Sequence, residues 1–198
     1  MCILRSNQTY FDMKYNNTFF AFLSTLFLLS TFFSSCEKKC CDVFQREGIS
    51  FNLPNYWKIN KIDSTEADFF FMYINKVGYG ASANAFVEWN KGKIGLDTVM
   101  NITQQGYYNH KVFVDGGIKF TTPKMETYGT YQALTSVYKV KLLDVNTIGK
   151  IHCFYLEDCN KTVMIAYEQV AIDSAKQKAD FKIIEESFGC RKVEDKKQ

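Results

Sequence analysis

The sequence predicts an α+β fold: a mainly antiparallel sheet with helices packed on its faces. Three observations carry this expectation. Short β-branched and aromatic runs between turn residues recur along the chain from residue 48 onward. Two segments, beginning near Leu96 and near Ser174, instead carry apolar residues at helical spacing. The resulting order is strands, one helix, more strands, one helix.

The first strand is expected at 49–53, stopped by Pro54. Residues 68–74 are almost wholly apolar, which predicts a strand covered on both faces. A strand over 83–89 follows a turn bearing Gly78 and Gly80. The first helix places Leu96, Val99, Met100, Thr103 and Tyr107 on one face, with Asp97 able to cap its start. Residues 112–114 and 118–120 flank Asp115-Gly116-Gly117, which reads as a hairpin turn because glycine tolerates positive φ. A long strand over 131–142 precedes a second hairpin, 151–156 with 162–167, around 157–161. In the last helix Ser174 and Gln177 form a capping-box pattern, and Phe181, Ile184 and Phe188 recur at steps of three and four. Gly189 stands where a helix end favours left-handed φ.

Ahead of this domain lies a secretory pattern. Lys14 gives positive charge, residues 19–33 are uncharged, and Ser34-Ser35-Cys36 closes the run. Small residues before a cysteine suit a lipoprotein signal, with Phe33 in the place of the usual aliphatic residue. Cys36 would then carry the diacylglycerol and a further acyl chain such as palmitate. The apolar core holds 15 residues, fewer than the ~20 a spanning helix needs. An ordinary cleaved signal and an uncleaved anchor are the alternatives. Met13-Lys14 reads as the initiator, which divides the chain into 1–12 as an upstream extension, 13–35 as signal peptide, 36–47 as a lipidated tether, 48–190 as one domain and 191–198 as a charged tail. The expected location is the bacterial envelope, with the outer membrane favoured and the face left open.

The 162 residues after Cys36 suffice for one domain with a real core. A net charge of +3 without a clustered basic stripe argues against nucleic acid. Of the seven cysteines, Cys40 or Cys41 near the start of the domain and Cys190 at its end could form a bridge stapling the termini, or could be ordinary thiols. No C-x-x-C pair supports a redox site or a zinc ribbon.

The run Ile49-Ser50-Phe51-Asn52-Leu53-Pro54-Asn55-Tyr56-Trp57 resembles the opening of PsbP-like domains, where an apolar strand meets proline and then tryptophan. Phe181-Lys182-Ile183-Ile184-Glu185-Glu186-Ser187-Phe188 is similar to the last helix of that family. Tyr56 departs from the glycine usual before the tryptophan. The resemblance spans roughly residues 48–190 and implies an α/β/α sandwich. Its relatives include an extrinsic photosystem subunit, a Ran-binding import factor and bacterial envelope lipoproteins. They share no active site that transfers residue by residue.

No catalytic constellation stands out, and no cofactor or metal is expected. His152 and Cys153 are neighbours in a strand and point to opposite faces, and His110 reads as a loop residue. Glu157, Asp158 and Asn160 read as a solvated turn rather than a calcium loop. Glu185, Glu186 and Lys182 read as an exposed charged face. Trp57 and Phe188 read as core, and Tyr107, Tyr108, Tyr128 and Tyr131 as core or as an amphipathic surface. The expected function is a non-catalytic binding or accessory module for a protein partner at the membrane. The alternative is a small-molecule module with an aromatic-lined pocket between sheet and helix.

Overall fold

The computed structural model describes residues 41–64, 68–78 and 82–190. The extension, the signal, Cys36, Cys40 and the tail lie outside them. Among the described residues no helix is long and apolar enough to cross a membrane.

The larger sheet is antiparallel, built from β3 (Trp57–Asp63), β4 (Phe69–Lys76), β5 (Ala83–Lys91), β10 (Lys161–Val170), β9 (Val145–Leu156) and β8 (Tyr131–Leu142) in that spatial order. Two short strands, β6 (Lys119–Phe120) and β7 (Lys124–Tyr128), line the outer edge of β8 one after the other. A second sheet joins β1 (Cys41–Arg46), β2 (Ile49–Pro54) and β11 (Gly189–Cys190). Helix α1 (Leu96–Asn109) and the short α2 (Lys111–Asp115) lie on one face of the larger sheet; α3 (Ser174–Ser187) and β2 meet the other.

Alternation along the strands divides the core in two. Phe70, Met72 and Ile74 of β4, with Val87 and Trp89 of β5 and Phe154 of β9, pack towards β2 and α3. Met164, Cys153, Ile151, Leu134 and Tyr138 pack towards α1. Trp57 and Phe188 are both buried in the first cluster, as the sequence suggests. Trp57 also donates from Nε1 to Asp180 Oδ2 at 3.0 Å, which Lys76 pairs at 2.7 Å, fastening β3 and β4 to α3.

Several expectations are corrected. Residues 41–46, read as tether, form β1, so the folded unit begins earlier than residue 48. The 112–120 hairpin is absent, because 111–115 is helical. Gly117 does take positive φ, at 66°, but as a helix terminator: its N–H bonds to Val114 O and that of Ile118 to Phe113 O. Asp97 lies inside the first turn of α1 and the cap position is Gly95, without a side-chain cap bond. Ser174 is likewise already helical, and Gln177 turns inward, accepting from Lys76 Nζ at 3.0 Å. Gly189 is not left-handed. Ser187 Oγ bonds to Ile183 O at 2.6 Å and accepts from Asn52 N at 2.8 Å, so the chain leaves α3 extended and pairs with β2.

The bridge to Cys190 also differs. Cys190 is joined to Cys159, with Cα atoms 5.9 Å apart. Register explains why Cys41 cannot reach it. Cys41 stands opposite Pro54 and Cys190 opposite Ile49, at opposite ends of β2 and roughly 17 Å apart along the strand.

Candidate functional site

The apolar run at 68–74 is covered on one face only. Helix α1 has its main sheet contacts with β8, β9 and β10, so among the described residues the β4 and β5 part of that face lies beside the helix more than beneath it. Phe71 and Tyr73 of β4 and Phe86 of β5 therefore remain half-exposed beside the helix. The result is an open groove of about 590 Å³ whose walls include Phe71, Phe86, Ile94, Ile102, Phe113 and Met164. Gly106 lines it from the interior of α1, and a Cβ added there would meet nothing within 4 Å. A glycine inside a helix costs about 1 kcal/mol relative to alanine, and here it leaves the groove wide.

One carboxylate stands on this apolar floor. Glu88 of β5 is flanked in register by Phe71 on β4 and Met164 on β10, and the row continues through Cys153 to Leu134. Asn90 Nδ2 donates to Glu88 Oε1 at 3.4 Å, a long contact. Burial raises the Glu88 carboxyl above its usual range, and that hydrogen bond only partly offsets it. The Cys153 thiol is pushed up to about 12, by burial first and then by the neighbouring Glu88. That is the opposite of an activated nucleophile. His110 caps the junction of α1 and α2 and also lines the groove.

Further along β10 from the groove, the buried carboxyl of Glu168 is engaged by hydroxyls. Tyr138 donates to Glu168 Oε1, and Tyr107 donates to the same oxygen at 3.2 Å. Desolvation dominates a rise in the Glu168 pKa despite these donors. The Tyr138 ring fits there because Gly149 stands opposite it on β9, where a Cβ would come within 2.0 Å of ring Cζ. At the end of the sheet, a polar cavity of about 290 Å³ is lined by Asn75, Asn84 and Gln169, whose buried amide oxygens meet no hydrogen-bond partner among the described residues.

The residues singled out in the sequence are dispersed. His152 is buried on the α3 face, its Nδ1 2.9 Å from Thr135 Oγ1, while Cys153 faces α1. Burial holds the His152 pKa down at about 3. Glu157 and Asp158 fall in a single helical turn after β9, and Asn160 Oδ1 accepts from Tyr155 at 2.8 Å. No group of metal-holding His, Cys, Asp or Glu side chains exists among the described residues. Lys182 pairs with Glu186 at 3.4 Å on the surface, whereas Glu185 accepts from Gly129 N at 3.2 Å. Of the four tyrosines, Tyr128 is core, Tyr107 lines the groove, Tyr108 is exposed and Tyr131 packs against Phe154. Glu88 went unnoticed in the sequence. Its signal is a lone acid in a strand of alternating burial, and its apolar neighbours come from other strands.

The two segments that carry the family resemblance pack against each other. Phe51 of β2 stacks on Phe188 beyond α3, with ring centroids 5.4 Å apart. No family model and no curated protein matches the sequence. The solution structure of cyanobacterial PsbP (CyanoP) from Synechocystis sp. PCC 6803 superposes with a TM-score of 0.50 at 14% identity, over 80% of this chain and 98% of that one. The fold is PsbP-like. A protein from Bacteroides thetaiotaomicron gives 0.51 at 14% identity over 78% of this chain, which spans 50% of that one. LpqN of Mycobacterium tuberculosis, described as involved in cell envelope biogenesis, gives 0.48 at 10% identity over 77% of this chain and 86% of that one. At these identities the PsbP-like likeness concerns the fold alone.

Proposed function

We propose that this PsbP-like domain is a non-catalytic binding module of the bacterial envelope, held by lipid on Cys36, and that it receives an apolar small molecule between α1 and the sheet. The open groove carries this reading. Its volume of about 590 Å³ falls within the range of small-molecule sites, and its walls are aliphatic and aromatic. The buried Cys153 thiol, raised to about 12, supports a binding role over nucleophilic chemistry.

Titration of the isotope-labelled mature chain with the neutral probe N-phenyl-1-naphthylamine tests the groove. Amide shifts are expected at Phe71, Phe86, Ile102 and Phe113. Shifts confined to the α3 face, around Phe181 and Lys182, would overturn the assignment. For the anchor, labelled palmitate should enter the wild-type chain and be lost in Cys36→Ser.

A second reading, an apolar segment of a protein partner, is favoured by one feature. Ile102, Val112 and Val114 of α1 and α2 are 67%, 51% and 50% exposed. Crosslinking in intact cells with photoreactive residues at these positions distinguishes it: a specific protein adduct supports that reading, and its absence with probe binding intact opposes it.

A further inference from the structure

The charge placed in the groove says more about the ligand than the walls do. Among the described residues lining it, Glu88 is the one formally charged side chain, with His110 and Tyr107 the other titratable groups and no lysine or arginine. Among the described residues no cation pairs with Glu88, and its contact is the 3.4 Å donation from Asn90. The chain as a whole is positive, at +3, so this negative point is not a reflection of its overall balance. A carboxylate in such surroundings costs folding energy that neighbouring Phe71 and Met164 cannot return. An apolar residue at this position would complete the face at less cost.

The rings around the carboxylate have the same preference. Phe71, Phe86, Tyr107 and Phe113 line the groove, and the Phe71 and Phe86 centroids are 6.2 Å apart. Aromatic faces attract cations, most strongly where water is excluded, and repel anions. Carboxylate and rings together therefore form a receptor for positive charge attached to an apolar body.

On this basis we propose that the groove selects cationic amphiphiles, alkyl- or arylalkylammonium compounds, with the ammonium group placed at Glu88 and the apolar part along α1. The proposal rests on the groove being the binding site. It excludes fatty acids as preferred ligands, since their carboxylate would meet Glu88 in a poorly solvated place.

The test uses the mature chain and three ligands of equal length below their aggregation concentrations: dodecylamine, dodecanol and dodecanoate, each displacing N-phenyl-1-naphthylamine. The wild type should bind the amine at least roughly tenfold tighter than the alcohol, and dodecanoate weakest. In Glu88→Gln the ratio of amine to alcohol should fall towards one, with the far-UV circular dichroism of the wild type retained. Equal affinities in the wild type would overturn the charge selection while leaving the groove reading standing. An amine preference that persists in Glu88→Gln would overturn the role of Glu88. Failure of probe and all three ligands to bind would instead overturn the groove reading, and this inference with it.

Discussion

Cys159 and Cys190 tie the turn between β9 and β10 to the last strand of the second sheet. The bond fastens that sheet onto the core, because β11 pairs with β2 at Ser50 and Ile49. Phe51, on β2, sits in the same cluster as Phe154 and Phe188, so the bond closes a region already packed with rings.

With a sequence separation of 31, the crosslink restricts the unfolded chain by about 3–4 kcal/mol on the chain-entropy model. Cys159→Ser should lower the unfolding free energy by an amount of that order, read as a lower denaturant midpoint at unchanged slope. An unchanged midpoint would mean that the unfolded ensemble already holds these segments together.

The Tyr138 ring over Gly149 gives a second prediction. Gly149→Ala drives a methyl into ring carbons, the nearest at 2.0 Å, and should cost about 2–3 kcal/mol. In a Tyr138→Ala background the same change should cost much less. Additive losses in this double-mutant cycle would show that the ring is not what excludes the methyl.

His152 predicts an acid response. Its folded pKa of about 3 lies below the ordinary 6.5, chiefly through burial, with Lys150 adding to the shift and Glu126 opposing it. The unfolded state therefore binds the proton first, and stability falls as pH drops from about 6.5 towards 3. Glu126 is held at about 2 by hydrogen bonds from Lys124 and Lys150, so its own loss begins only below its ordinary 4.5. Between pH 7 and pH 4 the wild type should lose about 3 kcal/mol more than His152→Gln. Parallel curves for the two proteins would contradict the buried neutral imidazole.

Periodicity reveals an element where one partner sets its pattern. The 131–142 strand keeps its predicted bounds, since its burial follows from β9 and the helix above it. The glycine pair at 116–117 correctly indicates a left-handed residue, but the same geometry ends a helix or turns a hairpin. Phe113 decides between them by packing its ring 4.8 Å from Tyr107, a tertiary contact. β1 is missed because an edge strand with exposed Asp42 and Val43 carries little apolar signal. The groove is missed for a related reason: apolar residues at 69, 71 and 73 look the same whether a helix covers them or not. Glu88 becomes a candidate only when β4 and β10 bring Phe71 and Met164 to either side of it.

Occupation of the groove is tested most directly by closing it. Gly106→Trp places an indole in the space beside α1, while Gly106→Ala adds only a methyl that meets nothing within 4 Å. Fluorescence titration with N-phenyl-1-naphthylamine should show one saturable site in the wild type and in Gly106→Ala. The alanine variant should also be more stable by about 0.5–1 kcal/mol. Gly106→Trp should retain the wild-type circular dichroism and lose the site. Undiminished probe binding by folded Gly106→Trp would contradict the account.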